Sequence, residues 1–379
     1  MAQHVTAIIG AGIVGCLIAR ELAASDPQGA ITVLDRDGIA AGASRRSAGL
    51  HLPRGATPRT RRMSAYSHAY YAELRLRRPG APIHPVGATV ISVGDPGHPG
   101  QPGQPGQRLG GGYLDLAAPS PADDPRGIRV PAGSRAWRIA GCHYADVYQL
   151  TQAMAAELRP RAGFREGVAV TGLVPGAGAV TVQGGTGERL VADRVVLAPG
   201  PWLSAPAWRD LLAPLRLRVK RVVALHIEQR PGRGDEAVIF AAEDAFLLPL
   251  RGRGHWLFSY TSQEWDVDPD APAAGLTAAD VSAARACLRR YSPALADACG
   301  GGRVFCDAYS PDGEPQVRAL DEAGRIVFAG AANGSGYRLA PAIGSEVVQL
   351  LHPQAGGSGG LPPRLALRNE GVTGDHQFV

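Results

Sequence analysis

The sequence is poor in lysine and in long apolar runs, and both shortages narrow what the protein can be. Among 379 residues, Lys220 is the single lysine, so arginine carries nearly all the positive charge behind a net charge of +5. No apolar run approaches the length of a membrane span, and the amino terminus lacks the basic region and cleavage site of a secretory signal. A cytoplasmic location without a membrane span is therefore expected.

Cysteine and aromatic residues are also scarce. The five cysteines are an odd number with no close pair at metal-ligand spacing, which predicts reduced thiols and excludes a disulfide framework, a zinc site or another metal site of that kind. The arginine clusters have no interleaved aromatic residues, which argues against a nucleic-acid partner despite a pI of about 9.1. An anionic ligand or a basic surface explains the charge more simply.

The amino-terminal stretch combines a strand, a glycine turn, a helix and a second strand that ends in an acid. An apolar run at 5–9 enters the turn Gly10–Gly15, and a β-branched run ends in Asp35. Glycines at these spacings permit the sharp turn, the approach of a pyrophosphate and close packing of helix on sheet. Asp35 lies about 20 residues beyond the last glycine, where a carboxylate accepts hydrogen bonds from a ribose. The pattern predicts a dinucleotide site for either NAD or FAD.

Further along the chain, the patterns predict more than one domain. Residues 94–112 form a Pro/Gly-rich stretch that we interpret as a mobile surface insertion, and 361–379 as a disordered tail. Buried strands at 194–198 and 326–329 and a half-exposed strand at 215–227 are predicted, with helices at 63–76, 144–158 and 277–291. A second glycine-rich turn, 330–341, precedes a helix predicted from Ala342.

Several motifs, in this order, resemble one family across nearly the whole chain. They are the opening glycine triplet, the 42–49 loop, Val-Val-Leu-Ala-Pro-Gly-Pro-Trp at 195–202, Pro-Asp-Gly-Glu-Pro at 311–315 and Gly-Ser-Gly-Tyr-Arg-Leu-Ala-Pro at 334–341. Together they are similar to FAD-dependent amine oxidoreductases of the D-amino-acid oxidase, glycine oxidase and sarcosine oxidase superfamily. The resemblance implies hydride transfer from an amine-bearing carbon to flavin N5, giving an imine.

The implied fold class is α/β, with a discontinuous FAD-binding Rossmann-like domain and an inserted mixed-sheet α+β substrate domain. The FAD-binding domain is expected at 1–80, 145–212 and 302–360, and the substrate domain at 81–144 and 213–301. The residues implied in FAD binding are Gly10, Gly12, Ile13, Val14, Gly15, Asp35, Arg36, Ala43, Ser44, Arg45, Arg46, Ala48, Gly49, Leu50, Val168, Gly200, Trp202, Gly334, Ser335, Gly336, Tyr337, Arg338 and Leu339.

Arg338 is the main candidate for substrate binding. In the sarcosine-oxidase-like branch, a basic residue at this point of the motif binds the substrate carboxylate beside the flavin, and arginine grips a carboxylate with two parallel hydrogen bonds. Tyr260, His51 and Tyr309 join Arg338 as candidate catalytic residues. Tyr260, Tyr309, Tyr337, His51 and His255 are candidate pocket residues, and the two histidines are also candidate bases should the substrate be a 2-hydroxy acid.

Two positions depart from the sarcosine-oxidase branch. Where that branch has a lysine that promotes reaction with oxygen, this chain has Leu257, and Lys220 is expected to lie elsewhere. The electron acceptor is therefore expected to be either O2 or another oxidant. Some members attach the flavin covalently through a cysteine just before the Pro-Asp motif. Cys306 lies one residue away from the position that matches this cysteine. Noncovalent FAD is therefore expected, with a covalent link through Cys306 as the alternative.

Three hypotheses about function follow. The first is an oxidase or dehydrogenase for a small carboxylate-bearing amine, whether amino acid, secondary amine or imino acid. The second keeps the fold and oxidises a 2-hydroxy acid. The third is a flavin-binding subunit of a larger complex without a substrate site. Oligomeric state is left open.

Overall fold

A computed structural model describes residues 4–93, 112–122, 127–270 and 275–352. Apart from Gly112, the predicted insertion at 94–112 lies outside these ranges, as does the predicted tail at 361–379. Within the described ranges, the helices are too short or too polar for any of them to span a membrane. They are α1 (Ile13–Ser25), α2 (Ala43–Arg46), α3 (Pro58–Arg77), α4 (Val147–Leu158), α5 (Arg209–Leu212), α6 (Ala278–Arg289), α7 (Pro293–Asp297) and α8 (Gly336–Leu351).

The strands of the described ranges form four sheets. They are β1 (Val5–Ile9), β2 (Ala30–Asp35), β3 (Leu50–His51), β4 (Ile83–Pro85), β5 (Ala88–Ser92), β6 (Ser120–Pro121), β7 (Arg135–Ile139), β8 (His143–Ala145), β9 (Ala162–Glu166), β10 (Val170–Pro175), β11 (Val180–Gly184), β12 (Arg189–Ala192), β13 (Arg194–Leu197), β14 (Arg218–Ile227), β15 (Ala237–Phe240), β16 (Ala245–Leu250), β17 (His255–Trp265), β18 (Cys299–Tyr309), β19 (Gln316–Ala319) and β20 (Ile326–Gly330).

The six-stranded sheet has the order β19-β20-β13-β1-β2-β9 and is parallel except at β19. Its inner strands are apolar on both faces, as a parallel sheet covered on two sides requires. Ile8 of β1 packs beneath α1 and α8, whereas Ala7 and Ile9 pack beside the small sheet β10-β11-β12. The strands come from three separate stretches, 5–35, 162–197 and 316–330, which supports a discontinuous domain.

The eight-stranded sheet has the order β18-β14-β17-β16-β15-β5-β7-β6 and is mixed, because β5 and β15 are parallel whereas the other pairs are antiparallel. One face packs against α6 and α7. The predicted fold class is confirmed. The domain boundary predicted between 301 and 302 falls inside β18, which pairs with β14 as far as Tyr309, so this sheet extends further than expected.

Helix α8 begins at Gly336, and the prediction that it begins at Ala342 is wrong. The sequence indicated a later start because Pro341 has no N–H and is disfavoured inside a helix. The carbonyl of Tyr337, which the N–H of residue 341 would normally satisfy, instead accepts a hydrogen bond from the Tyr71 hydroxyl at 2.6 Å. A tertiary contact from α3 therefore allows the proline within the helix.

Candidate functional site

The glycine turn after β1 is packed too tightly for any side chain. Gly10 has a φ of +109°, and a Cβ atom built on it would lie 2.2 Å from the Ala198 carbonyl oxygen. A Cβ on Gly15 would lie 1.9 Å from the Gly10 carbonyl oxygen. The turn, α1 and the end of β13 thus meet backbone to backbone, which only glycine permits.

The amino terminus of α1 is left open toward the 42–49 loop. Gly12 occupies the N-cap without a side chain, and the Ser44 hydroxyl accepts a hydrogen bond from the Ile13 N–H at 3.0 Å. Short helix α2 holds Ser44 in this place. A bare helix amino terminus beside a hydroxyl is suited to a pyrophosphate, so these residues fit the dinucleotide half of FAD.

Asp35 is the last residue of β2 and forms hydrogen bonds with the glycine turn, with residues 37–38 and with Val168. Its carboxylate accepts hydrogen bonds from the N–H groups of Ala11 at 2.7 Å, Asp37 at 2.9 Å and Gly38 at 3.0 Å. Burial raises the pKa of Asp35, against the opposing effect of these donors. A carboxylate has further acceptor sites for a ribose, and the Val168 N–H, bonded to the Asp35 carbonyl at 2.9 Å, brings Val168 beside it.

Three predicted cofactor residues have side chains engaged elsewhere. The Arg36 guanidinium lies 4.3 Å from the Trp202 ring centroid and pairs with Asp270, to which the Trp202 indole N–H also donates. The Arg45 guanidinium lies over Tyr148. Trp202 closes against the 42–49 loop, because its ring lies 2.9 Å from a Cβ built on Gly42.

The remaining predicted cofactor positions have backbone roles in the structure. Gly200 has a φ of +59°, which suits a glycine before Trp202. The Arg46 carbonyl accepts a hydrogen bond from Arg303 of β18 at 2.9 Å. Ala48, Gly49 and Leu50 lie on the wall of a large cavity.

That cavity has a volume of about 980 Å³ and is the main candidate for the reaction site. One wall is the stretch from Ser47 to Thr60, another is the 332–339 turn with the amino terminus of α8, and the roof is the face of β14, β17 and β18 opposite α6. We call it the reaction cavity. Its volume is in the range of cofactor and ligand sites.

Arg338 reaches the reaction cavity from the first turn of α8. Its Nη2 donates to the Ser335 hydroxyl at 2.5 Å, but its buried Nε has no hydrogen-bond partner among the described residues. Burial and the nearby charge of Arg54 lower the pKa of Arg338 to about 10. An arginine held with an unsatisfied donor in a cavity is suited to an anionic group.

Arg54 also lines the reaction cavity, and the sequence analysis missed it. Its side chain is 7% exposed, burial lowers its pKa, and Tyr113 and Asp244 act in the opposite direction. Asp244 lines the same cavity and also raises the pKa of Arg338. The signal that could have found Arg54 is its place only five residues after Gly49 in the cofactor loop.

Lys220 lies on β14 beside the reaction cavity, and not on β17, the strand that carries Leu257. On β14 it stands between Arg218 and Val222, which line the cavity. Its ammonium lies 4.6 Å from the Trp265 ring centroid and 5.9 Å from that of Tyr309. The register between β14 and β18, which pairs Lys220 with Asp307, places Lys220 beside the cavity. Leu257 is fully buried on β17, on the same side as the cavity-lining Ser259 and Thr261.

Asp307 faces the reaction cavity, whereas Cys306 does not. Asp307 is paired in register with Lys220, and burial raises its pKa to about 6. Cys306 packs on the opposite side of β18 among apolar residues, and burial raises the pKa of its thiol to about 11. A thioether link through Cys306 therefore has no support in this geometry.

Of the four predicted catalytic residues, Arg338 and Tyr309 line the reaction cavity, and Tyr260 and His51 do not. Tyr260 stacks near Phe258 on the α6 side of β17, because alternate residues of a strand face opposite sides. His51 is fully buried behind the wall, stacked on His143 at 4.4 Å. Predicting Tyr260 and His51 as cavity residues was wrong. His255 lies beside His226, also off the cavity.

A family model described as FAD dependent oxidoreductase matches residues 6–350. No curated protein sequence matches at a significant level. Similar solved structures include glycine oxidase from Geobacillus kaustophilus, with 18% identity, 96% of this chain and 100% of that chain covered, and a TM-score of 0.69.

Two further similar structures are named for other amines. Fructosyl amine: oxygen oxidoreductase (Amadoriase I) from Aspergillus fumigatus has 17% identity, coverage of 93% and 87%, and a TM-score of 0.69. L-proline dehydrogenase from P. horikoshii has 18% identity, coverage of 93% and 94%, and a TM-score of 0.68. At these identities the likeness shows the fold alone.

Proposed function

Because the chain belongs to the FAD-dependent oxidoreductase family, we propose that it oxidises the carbon–nitrogen bond of a carboxylate-bearing amine. The substrate is an amino acid, a secondary amine or an imino acid, and the product is the corresponding imine. Family membership establishes that the protein is an FAD-dependent oxidoreductase. The charges of the reaction cavity support the substrate class.

The observation that carries this proposal is the presence of two arginines, Arg54 and Arg338, on the wall of one cavity. The charge of Arg54 lowers the pKa of Arg338, and the Nε of Arg338 has no hydrogen-bond partner among the described residues. A substrate carboxylate would accept directional hydrogen bonds from both guanidinium groups. The similar structures named for glycine, proline and fructosyl amine are consistent with amine chemistry.

In the proposed mechanism, the cofactor residues would hold FAD at two places. The glycine turn, Ser44 and Asp35 would hold the dinucleotide half, and the 334–339 turn with the amino terminus of α8 would hold the flavin edge. FAD bound there would supply the hydride acceptor, its N5 atom.

Arg54 and Arg338 orient the substrate by its carboxylate, so that the amine-bearing carbon is held in one position. Their positive field also favours loss of a proton from the substrate ammonium to water, because a nearby positive charge lowers the pKa of an amine. The neutral amine then has the nitrogen lone pair that forms the imine as hydride leaves the carbon. Burial of both arginines keeps this field strong.

Replacing Arg338 by Ala tests the proposal. We expect kcat/KM for a carboxylate substrate to fall by about 100- to 1000-fold, since charge-assisted hydrogen bonds in a buried site are lost. Arg338→Lys should recover part of that loss, and FAD content, read from the visible absorbance, should stay the same. Arg209→Ala, at an exposed site on α5, is the matched control. Unchanged kcat/KM in Arg338→Ala would remove Arg338 from the substrate site.

A panel of amines and 2-hydroxy acids, scored by anaerobic bleaching of the flavin, separates the leading proposal from the hydroxy-acid alternative. The structure favours amines, because His51 and His255, the predicted bases for a hydroxyl proton, lie off the reaction cavity. Bleaching by hydroxy acids alone would contradict amine oxidation. Bleaching by no member of the panel would favour the flavin-binding subunit.

The electron acceptor is a separate question. Leu257 places an apolar side chain where related oxidases have an oxygen-activating lysine, while Lys220 brings a cation to another part of the cavity wall. Following reoxidation of the substrate-reduced protein in air and with an artificial dye distinguishes an oxidase from a dehydrogenase.

A further inference from the structure

A second cavity of about 460 Å³ shares no lining residue with the reaction cavity. Its lining includes Arg75, Arg251, His68 and His143, and contains no aspartate or glutamate. The other lining residues are small or apolar, so the cavity carries positive charge without an acid of its own. We call it the anion cavity.

Arg75 supplies that charge together with Arg251. It lies in the last turn of α3, is half-buried and forms no ion pair within the part of the chain that the structure describes. Its field reaches both histidines: burial and Arg75 lower the pKa of His68, and burial, His68 and Arg75 lower the pKa of His143 to about 3. Both imidazoles are neutral at pH 7, and each offers one N–H donor.

One hydrogen bond joins the anion cavity to the reaction cavity. His143, which is 3% exposed, lies 3.1 Å from the Tyr337 hydroxyl through its Nε2. Tyr337 lines the reaction cavity and precedes Arg338 in the first turn of α8, and its carbonyl is held by Tyr71. His51 stacks on the other face of His143. A change at His143 therefore acts directly on the turn that carries Arg338.

We infer that the anion cavity binds a small oxyanion, such as a carboxylate or phosphate, and that His143 and Tyr337 transmit its binding to the reaction cavity. The anion accepts hydrogen bonds from the Arg75 guanidinium and from the His143 Nδ1–H. Accepting from Nδ1 selects one tautomer, in which Nε2 accepts from the Tyr337 hydroxyl. The bound anion thus holds Tyr337, and with it the start of α8, in a single arrangement.

The test uses the FAD-loaded protein without substrate, so its result is independent of the proposed amine oxidation. Inorganic phosphate and acetate are titrated separately at constant ionic strength, with heat of binding and the visible flavin spectrum as readouts. We expect saturable binding of at least one anion, together with a shift of the flavin bands. No saturable binding of either anion would overturn the proposal.

Variants locate the binding. Arg75→Ala should weaken it at least about tenfold, as expected for loss of a charge-assisted hydrogen bond, and Arg75→Glu should weaken it further. Arg62→Ala, an exposed arginine on the same helix, is the matched control and should bind as before. Because the reaction cavity also attracts anions, Arg338→Ala must retain the binding. Equal binding by Arg75→Ala and the unaltered chain would overturn the assignment of the site.

Tyr337→Phe tests the connection between the cavities. The variant keeps His143 and Arg75, so it should bind the anion, but it lacks the hydroxyl and should lose the shift of the flavin bands. A shift that persists in Tyr337→Phe, or binding without any shift in the unaltered chain, would overturn the transmission through Tyr337.

Discussion

The dinucleotide end and the reaction cavity are built in opposite ways. The first is made mostly by one continuous stretch, from Gly10 to Ser44, in which backbone groups and glycines do the positioning. The second gathers side chains from several loops, strands and helices that are far apart in the chain. Local sequence therefore determines the dinucleotide end, and tertiary packing determines the reaction cavity.

The two ends also differ in what they tolerate. Around Gly10 and Gly15, neighbouring backbone leaves no space for a methyl group. Around Arg338, Arg54 and Asp307 there is open volume, and the arrangement depends on charge and burial. Substitutions at the dinucleotide end should therefore impair the protein through steric overlap. Substitutions in the reaction cavity should act through electrostatics.

Gly15→Val should have the largest effect. Its Cβ would lie 1.9 Å from the Gly10 carbonyl oxygen, which is backbone and has little freedom to move. We expect purified protein without flavin absorbance. Gly178→Ala, with no atom within 4 Å of the added Cβ, is the matched control and should remain yellow. A yellow Gly15→Val protein would mean that shape does not govern the dinucleotide end.

Asp307→Asn should show the electrostatic character of the reaction cavity. Burial raises the folded-state pKa of Asp307 from 3.8 to about 6. Its contribution to stability is present below pH 4 and is lost as pH rises through 6, because the ionised carboxylate is disfavoured in the folded state. The free energy of unfolding of Asp307→Asn, relative to the unaltered protein, should rise by about 2 to 3 kcal/mol between pH 4 and pH 7.

Urea unfolding of the two FAD-loaded proteins at several pH values measures this difference. If the relative stability of Asp307→Asn instead fell with rising pH, the Lys220 ammonium would be stabilising the carboxylate more than burial disfavours it.

The pair Tyr309→Phe and Tyr260→Phe should give the smallest effects and the sharpest contrast between the two faces of one sheet. Tyr309 lines the reaction cavity, and loss of its hydroxyl should lower kcat/KM about fivefold. Tyr260 faces α6, and its variant should differ less than about twofold from the unaltered protein. Steady-state kinetics with the best substrate of the panel measures both, and a larger loss in Tyr260→Phe would contradict the strand orientation.

Residues close in sequence were the predictable part of the site. The strand, turn and helix from Val5 to Ser25 and the capping box of Thr277 with Asp280 follow from local rules. Arg338 was identified through a motif whose residues are adjacent. Arg54 was not, because nothing in its neighbourhood shows that it points toward the same cavity.

What the sequence determined by itself is the α/β fold class, the dinucleotide turn and the family, since each rests on spacing along the chain. Only the tertiary structure decided the rest. Strand register placed Lys220 opposite Asp307, beside the reaction cavity. Strand alternation turned Tyr260 and Cys306 away from that cavity, and a hydroxyl from α3 allowed α8 to begin before its proline. These outcomes depend on groups that are distant in the chain, so no local pattern contains them.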